Sequence, residues 1–155
     1  MVPQDLHIHT VFSTGDSAIV REQTPEFIFK IRHAQVIGIS DHFEYIVDPD
    51  IFNIYEKELR RYGFYVGTEI SGFSLISKAI KTNCDYFVYH CSEDKDYKAV
   101  ELLLDTKKPV IIAHPPGWLN QNVARYVCRE LGIRETILFP DKTEKIILMR
   151  KSGLN

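Results

Sequence analysis

"VIGIS", residues 36–40, decides how the chain is read. It is short, continuous and β-branched, with no polar residue before Ser40. A strand with one wet face alternates apolar and polar residues. A strand covered on both faces reads as an unbroken apolar run, as in parallel sheets flanked by helices. Asp41 and His42 follow at once, so titratable side chains stand at the carboxyl end of a buried strand. In parallel α/β sheets and barrels that end is where ligands bind and chemistry occurs.

The same arrangement recurs on either side. "VPQDLHI" is short enough for a strand and carries His7 near its end, with His9 just beyond. "TPEFIFKIRHA" opens with Thr24 as N-cap and Pro25 at the first helical position, and Phe27, Ile28, Ile31 and Ala34 fall on one helical face. "DIFNIYEKELRRYG" reads as a helix with Asp50 as its cap and Gly63 as its stop. "FYVGTEI" is the next strand and closes near Glu69. "FSLISKAIK" is a short helix, and "DYFVYH" is a strand ending on His90. "DYKAVELLLDT" is helical, "PVIIAH" is a strand ending on His114, and "WLNQNVARYVCRELG" is helical with Gly132 after it. "ETILF" and "KIILMR" complete the strand candidates. Alternation of this kind predicts a mainly parallel sheet with helical crossovers.

With 155 residues the chain is expected to be one domain, 1–155. An eight-fold β/α barrel typically takes about 250 residues. The expected fold is therefore α/β: a distorted, incomplete β/α (TIM-like) barrel of about six to seven mainly parallel strands with outer helices. Hydrophobic residues make up 45% and charged residues 26%, ordinary for a soluble globular protein. A formal charge of −2 offers no electrostatic case for nucleic acid or an acidic membrane surface. No apolar run is long enough to span a bilayer, and the start lacks a signal-peptide pattern. Cys84, Cys91 and Cys128 are scattered and read as reduced thiols, so the cytoplasm is the expected compartment.

Five successive strands thus deliver a metal-capable side chain at their carboxyl ends: His7 and His9, then Asp41 and His42, then Glu69, His90 and His114. Only His33 among the six histidines lies off the pattern. Singly, each has an ordinary explanation. His-x-His occurs on wet strands, His90 or His114 would serve as a hydrogen-bonded strand end, Asp41 as a turn cap, Glu69 as a surface carboxylate. Together they point to a metal site. Residues two apart on a strand share a face, so His7 and His9 can hold one ion while Ile8 packs behind them. A central carboxylate such as Glu69 can bridge two ions. Imidazole with carboxylate suits Zn, Mn or Fe, and a two-ion clamp suits displacement at phosphorus.

"DLHIHT", "ISDHFEY", "GTEI", "DYFVYH" and "IIAHP", in that order over residues 5 to 115, resemble the successive motifs of the PHP (polymerase and histidinol phosphatase) family. The resemblance implies a distorted seven-stranded β/α barrel with two or three divalent metal ions and hydrolysis of phosphate esters. It implies that His7 and His9 bind the first ion, that Glu69 bridges the first and second, and that His90 and His114 complete the second. It implies His42 on a third ion, with Asp16 as a further ligand, and Asp41 orienting a ligand from behind. Asp41 and His42 are the candidate catalytic groups. The family's closing Asp-x-His motif is not found, and no histidine follows His114, so the resemblance implies a domain truncated at its C-terminus. Its open sheet edge would invite a homo-oligomer.

The expected function is a metal-dependent phosphoesterase acting on a small-molecule phosphate ester. The alternative is a non-catalytic metal-binding or interaction domain. An amidohydrolase-type hydrolase also begins with His-x-His, but its bridge comes from a fourth strand, not the third. Protein purified without chelator is expected to carry two equivalents of Zn, Mn or Fe by elemental analysis; zero equivalents would leave the ordinary explanations standing.

Overall fold

A computed structural model of the chain describes residues 4–90, 96–113, 133–140 and 145–151. Five parallel strands form its centre: β1 (Gln4–Ile8), β2 (Val36–Ile39), β3 (Tyr65–Ile70), β4 (Tyr86–Tyr89) and β5 (Val110–Ile112), hydrogen-bonded in sequence order. Helices α1 (Pro25–Ile31), α2 (Phe43–Ile46), α3 (Pro49–Arg61), α4 (Ile76–Ala79) and α5 (Asp96–Asp105) lie in the crossovers. The sequence-based count of six to seven mainly parallel strands resolves into these five. The two last segments, β6 (Ile133–Pro140) and β7 (Lys145–Lys151), run antiparallel, with β7 against β5 and β6 outside it. Apolar runs announce strands but not their direction. The helix expected over "WLNQNVARYVCRELG" lies outside the described residues, as does His114.

The helices begin where local chemistry allows. Thr24 caps α1 by accepting from the Phe27 amide at 3.1 Å, with Pro25 at the first position. α3 is capped by Asp48, not Asp50: Asp48 Oδ1 accepts from the amides of Asp50 and Ile51 at 2.9 and 3.2 Å. Pro49 takes the first helical position, where its missing N–H costs nothing. Gly63, at φ 75°, ends the helix in a left-handed turn. The apolar face expected for α1 is only partly correct. Ile28 is buried, but Phe27 and Ile31 are 44% and 54% exposed, and Ala34 lies beyond the helix. α1 ends at Ile31 because Arg32 turns left-handed at φ 46°.

The main core fills the space between sheet and helices. Ile37 and Ile39 of β2, Val66 and Ile70 of β3, Phe87 and Tyr89 of β4, and Val110 and Ile112 of β5 meet Phe52, Tyr55 and Leu59 of α3 and Leu103 of α5. Tyr55, fully buried, joins two strands. Its hydroxyl accepts from the Asp41 amide at 3.1 Å and donates to the Gly67 carbonyl at 2.8 Å, with the Ile39 carbonyl at 3.2 Å.

The opposite face is concave, and the five parallel strands make a half-barrel. In a flat sheet β1 and β4 would stand about 14 Å apart, three spacings of about 4.8 Å. Yet the Tyr86 hydroxyl on β4 donates to the Leu6 carbonyl on β1 at 2.7 Å. Leu6, Tyr86, Val88, Ile111 and Ala113 pack together inside the curve. Among the described residues no helix is long and apolar enough to cross a membrane.

Tyr55→Phe keeps the ring and removes the hydroxyl. It leaves the buried Asp41 amide and Gly67 carbonyl without their partner, so a loss of about 1–3 kcal/mol is expected in urea denaturation.

Candidate metal centre

The strand ends converge at the rim of the half-barrel. Glu69, near the end of β3, is 1% exposed. Its backbone N–H donates to the Asp41 carbonyl at 3.0 Å, which ties it to the end of β2. Its Oε2 lies 2.7 Å from His7 Nε2 and 2.9 Å from His9 Nε2. Its other oxygen, Oε1, lies 2.8 Å from His90 Nε2. His90 is held at the end of β4 by its N–H bond to the Ile70 carbonyl, 3.1 Å. Ile8 packs against the main core on the convex side. His7 and His9 therefore share the concave face, as their spacing predicts.

The electrostatics follow from burial and company. Burial opposes ionisation of Glu69, but hydrogen bonds from His7, His9 and His90 and the charge of His7 outweigh it, holding the carboxyl well below its usual range. Burial also disfavours a charged His9. The hydrogen bond and charge of Glu69, with the charges of Asp41 and Asp16, overcome this and raise the imidazole above its ordinary value.

A pair, His42 and Asp16, borders this group. The His42 ring stacks on the His9 ring, centroids 4.5 Å apart and planes 6° apart. His42 Nε2 lies 3.4 Å from Asp16 Oδ2. Tyr45 meets the His42 ring edge-on at 6.2 Å. Its ring crosses so close to Gly15 that a Cβ there would lie 2.6 Å from Cζ.

Behind both groups stands Asp41, with no exposed surface. Its Oδ1 accepts from the Thr10 amide at 2.6 Å and the Ser13 hydroxyl at 2.6 Å, and its Oδ2 from the Thr10 hydroxyl at 2.7 Å. Ser13 Oγ also accepts from the His42 amide at 3.1 Å. Burial pushes the Asp41 carboxyl above its usual range against these three hydrogen bonds. Asp41 thus fastens the loop after β1, which carries Asp16, to the turn that carries His42.

His7, His9, Glu69 and His90 stand together, His42 and Asp16 stand beside them, and Asp41 supports both groups. His33 is elsewhere, 2.9 Å from Asp5 Oδ2. Cys84 is a buried thiol, raised above its ordinary pKa by that burial. Sequence reasoning missed Thr10 and Ser13. Their hydroxyls follow the His-x-His pair closely in "HTVFS", but nothing local shows that they turn back to Asp41.

The donor set fits a divalent ion. His7, His9 and Glu69 each offer one ligand atom, and these atoms lie within 4.8 Å of one another. That span and the imidazole–carboxylate chemistry suit metal–ligand bonds of about 2.0–2.2 Å. His9 Nδ1 is buried without a hydrogen-bond partner among the described residues, an unusual state for a polar atom. Comparison with protein-family models, with curated proteins and with solved structures finds no match to this chain.

Saturating Zn²⁺ or Mn²⁺ is expected to raise the melting temperature, since a ligand at 100 times its Kd adds about 2.7 kcal/mol to stability. In Glu69→Gln, which removes the negative charge at the meeting point of the ligands, thermal melts should show little or none of that increase.

Proposed function

We propose that this chain is a metal-dependent phosphoesterase, its half-barrel part of a distorted β/α barrel of the PHP type and its centre built on Glu69. One observation carries the reading. The single carboxylate of Glu69 faces His7 and His9 with one oxygen and His90 with the other, the disposition of a bridge between two cation positions. Such a pair of ions, when bound, supplies Lewis acidity toward water and toward phosphoryl oxygens.

The chain's own residues divide the remaining work. His7 and His9 hold the first position and His90 belongs to the second, with His114 as its expected partner. Glu69 stays ionised throughout and neutralises part of the cationic charge. His42, backed by Asp16 and stacked on His9, is placed to hold a proton at Nε2 and pass it to a departing oxygen. In a three-ion arrangement the same two residues become ligands. Asp41 is a positioning residue, because its oxygens are engaged by Thr10 and Ser13 and it has no surface through which to touch a substrate. The substrate class is a small-molecule phosphate ester.

The test is hydrolysis of p-nitrophenyl phosphate and its diester by protein loaded with Mn²⁺ or Zn²⁺. Turnover should fall by at least 100-fold in His7→Ala and in His90→Ala. Metal binding with no turnover of either ester would overturn the catalytic reading in favour of a non-catalytic metal-binding domain.

A further inference from the structure

β1 does not pair evenly with β2. Gln4 stands opposite Val36 and Asp5 opposite Ile37, but the next pair is Ile8 with Ile39. β1 therefore advances three residues where β2 advances two. Leu6 and His7 form a bulge with no register partner in β2. An extra residue reverses the alternation of faces. Its effect is visible on both sides: Leu6 packs inside the curve with Tyr86 and Val88, and the next residue, His7, also faces inward onto Glu69. In a regular strand Leu6 and His7 would point to opposite faces.

A bulge leaves backbone groups that the ladder does not serve, and here side chains serve them. The His7 amide donates to Asp5 Oδ1 at 3.2 Å. The Leu6 carbonyl accepts from the Tyr86 hydroxyl at 2.7 Å. To reach it from β4, Tyr86 lies across β3 and β2 along the floor of the half-barrel. Two glycines make the passage. A Cβ on Gly38 would stand 2.5 Å from the Tyr86 hydroxyl oxygen, and one on Gly67 would stand 2.6 Å from Cε2. Neither glycine has a positive φ, so clearance for the ring, and not backbone freedom, is what these positions require. Tyr86 is itself only 4% exposed.

Resting on the metal reading above, we propose that Tyr86 is the positioning residue of the centre: through the cleared path over Gly67 and Gly38 it locks the Leu6–His7 bulge and so aims His7 at Glu69. Tyr86→Phe keeps the packing volume and removes the lock. The probe is Zn²⁺ or Mn²⁺ alone, titrated calorimetrically into the full chain. Tyr86→Phe is expected to bind at least tenfold more weakly than wild type while retaining its circular dichroism spectrum. Gly67→Ala, which drives the ring from its path, is expected to lose at least as much. The double variant should then lose little more than Gly67→Ala alone, because both changes act through one contact. Val110→Ala, on the convex side, controls for general destabilisation and should lower the melting temperature without weakening the metal. Wild type and Tyr86→Phe binding equally would overturn the lock alone. Equal losses in Tyr86→Phe and Val110→Ala would also overturn it, reducing Tyr86 to a packing residue. Wild type that binds neither metal would overturn the centre and the lock together.

Discussion

A carboxylate taken out of water must meet positive charge or hydrogen-bond donors, or it does not stay ionised. Glu69 is such a group, 1% exposed at the end of β3. It meets three imidazoles, from two strand ends on either side of its own. No arrangement local to β3 could supply them. The ends of β1 and β4 must be brought to the same point, and the rest of the described structure can be understood as what makes that convergence hold. The Asp41 carbonyl fixes the Glu69 amide, and the Ile70 carbonyl fixes that of His90.

Convergence requires curvature, and curvature has its own packing logic. The convex side is filled by large residues of both sheet and helices, Phe87, Tyr89, Tyr55 and Leu59 among them. On the concave side, among the described residues, the apolar cluster is Leu6, Tyr86, Val88, Ile111 and Ala113, with glycine at 38 and 67 beneath the Tyr86 ring. Tightening the curve draws β1 toward β4 until a phenol bridges them. The floor is therefore apolar and filled, while the rim above it is polar. His90, with a side chain 37% exposed, marks the accessible part of that rim.

Polar support is layered in the same direction. Nearest the centre are groups with a face toward the rim, His9, His42 and Asp16. Behind them Asp41 is enclosed, and its three donors come from Thr10 and Ser13, which lie 31 and 28 residues before it in sequence. A buried carboxylate with its acceptor sites engaged rigidifies its surroundings. It couples the loop after β1 to the turn after β2, so that two imidazoles stack with planes 6° apart.

Much of this was legible in the linear chain, and the division follows the range of the physics. Caps and stops are local, so Thr24, Pro25 and Gly63 read correctly. The cap of α3 read two residues late although the sequence distinguishes the two aspartates: Pro49 suits the first helical position and so favours Asp48, the residue before it, over Asp50. Phe27 and Ile31 have the spacing of a buried face, but which face of α1 meets the sheet is settled by the sheet. The direction of β6 and β7 was equally invisible, since an apolar run pairs either way. Residue chemistry and strand-end position were enough to single out His7, His9, His42, Glu69 and His90, because a period of two and the placement of polar residues after apolar runs are properties of the chain itself. The distance between strand ends is not such a property. It depends on how far the sheet curls and on where a strand slips by one residue. Tyr86, the two glycines under it and the bulge at Leu6 and His7 act on those two quantities only after β1 and β4 have met.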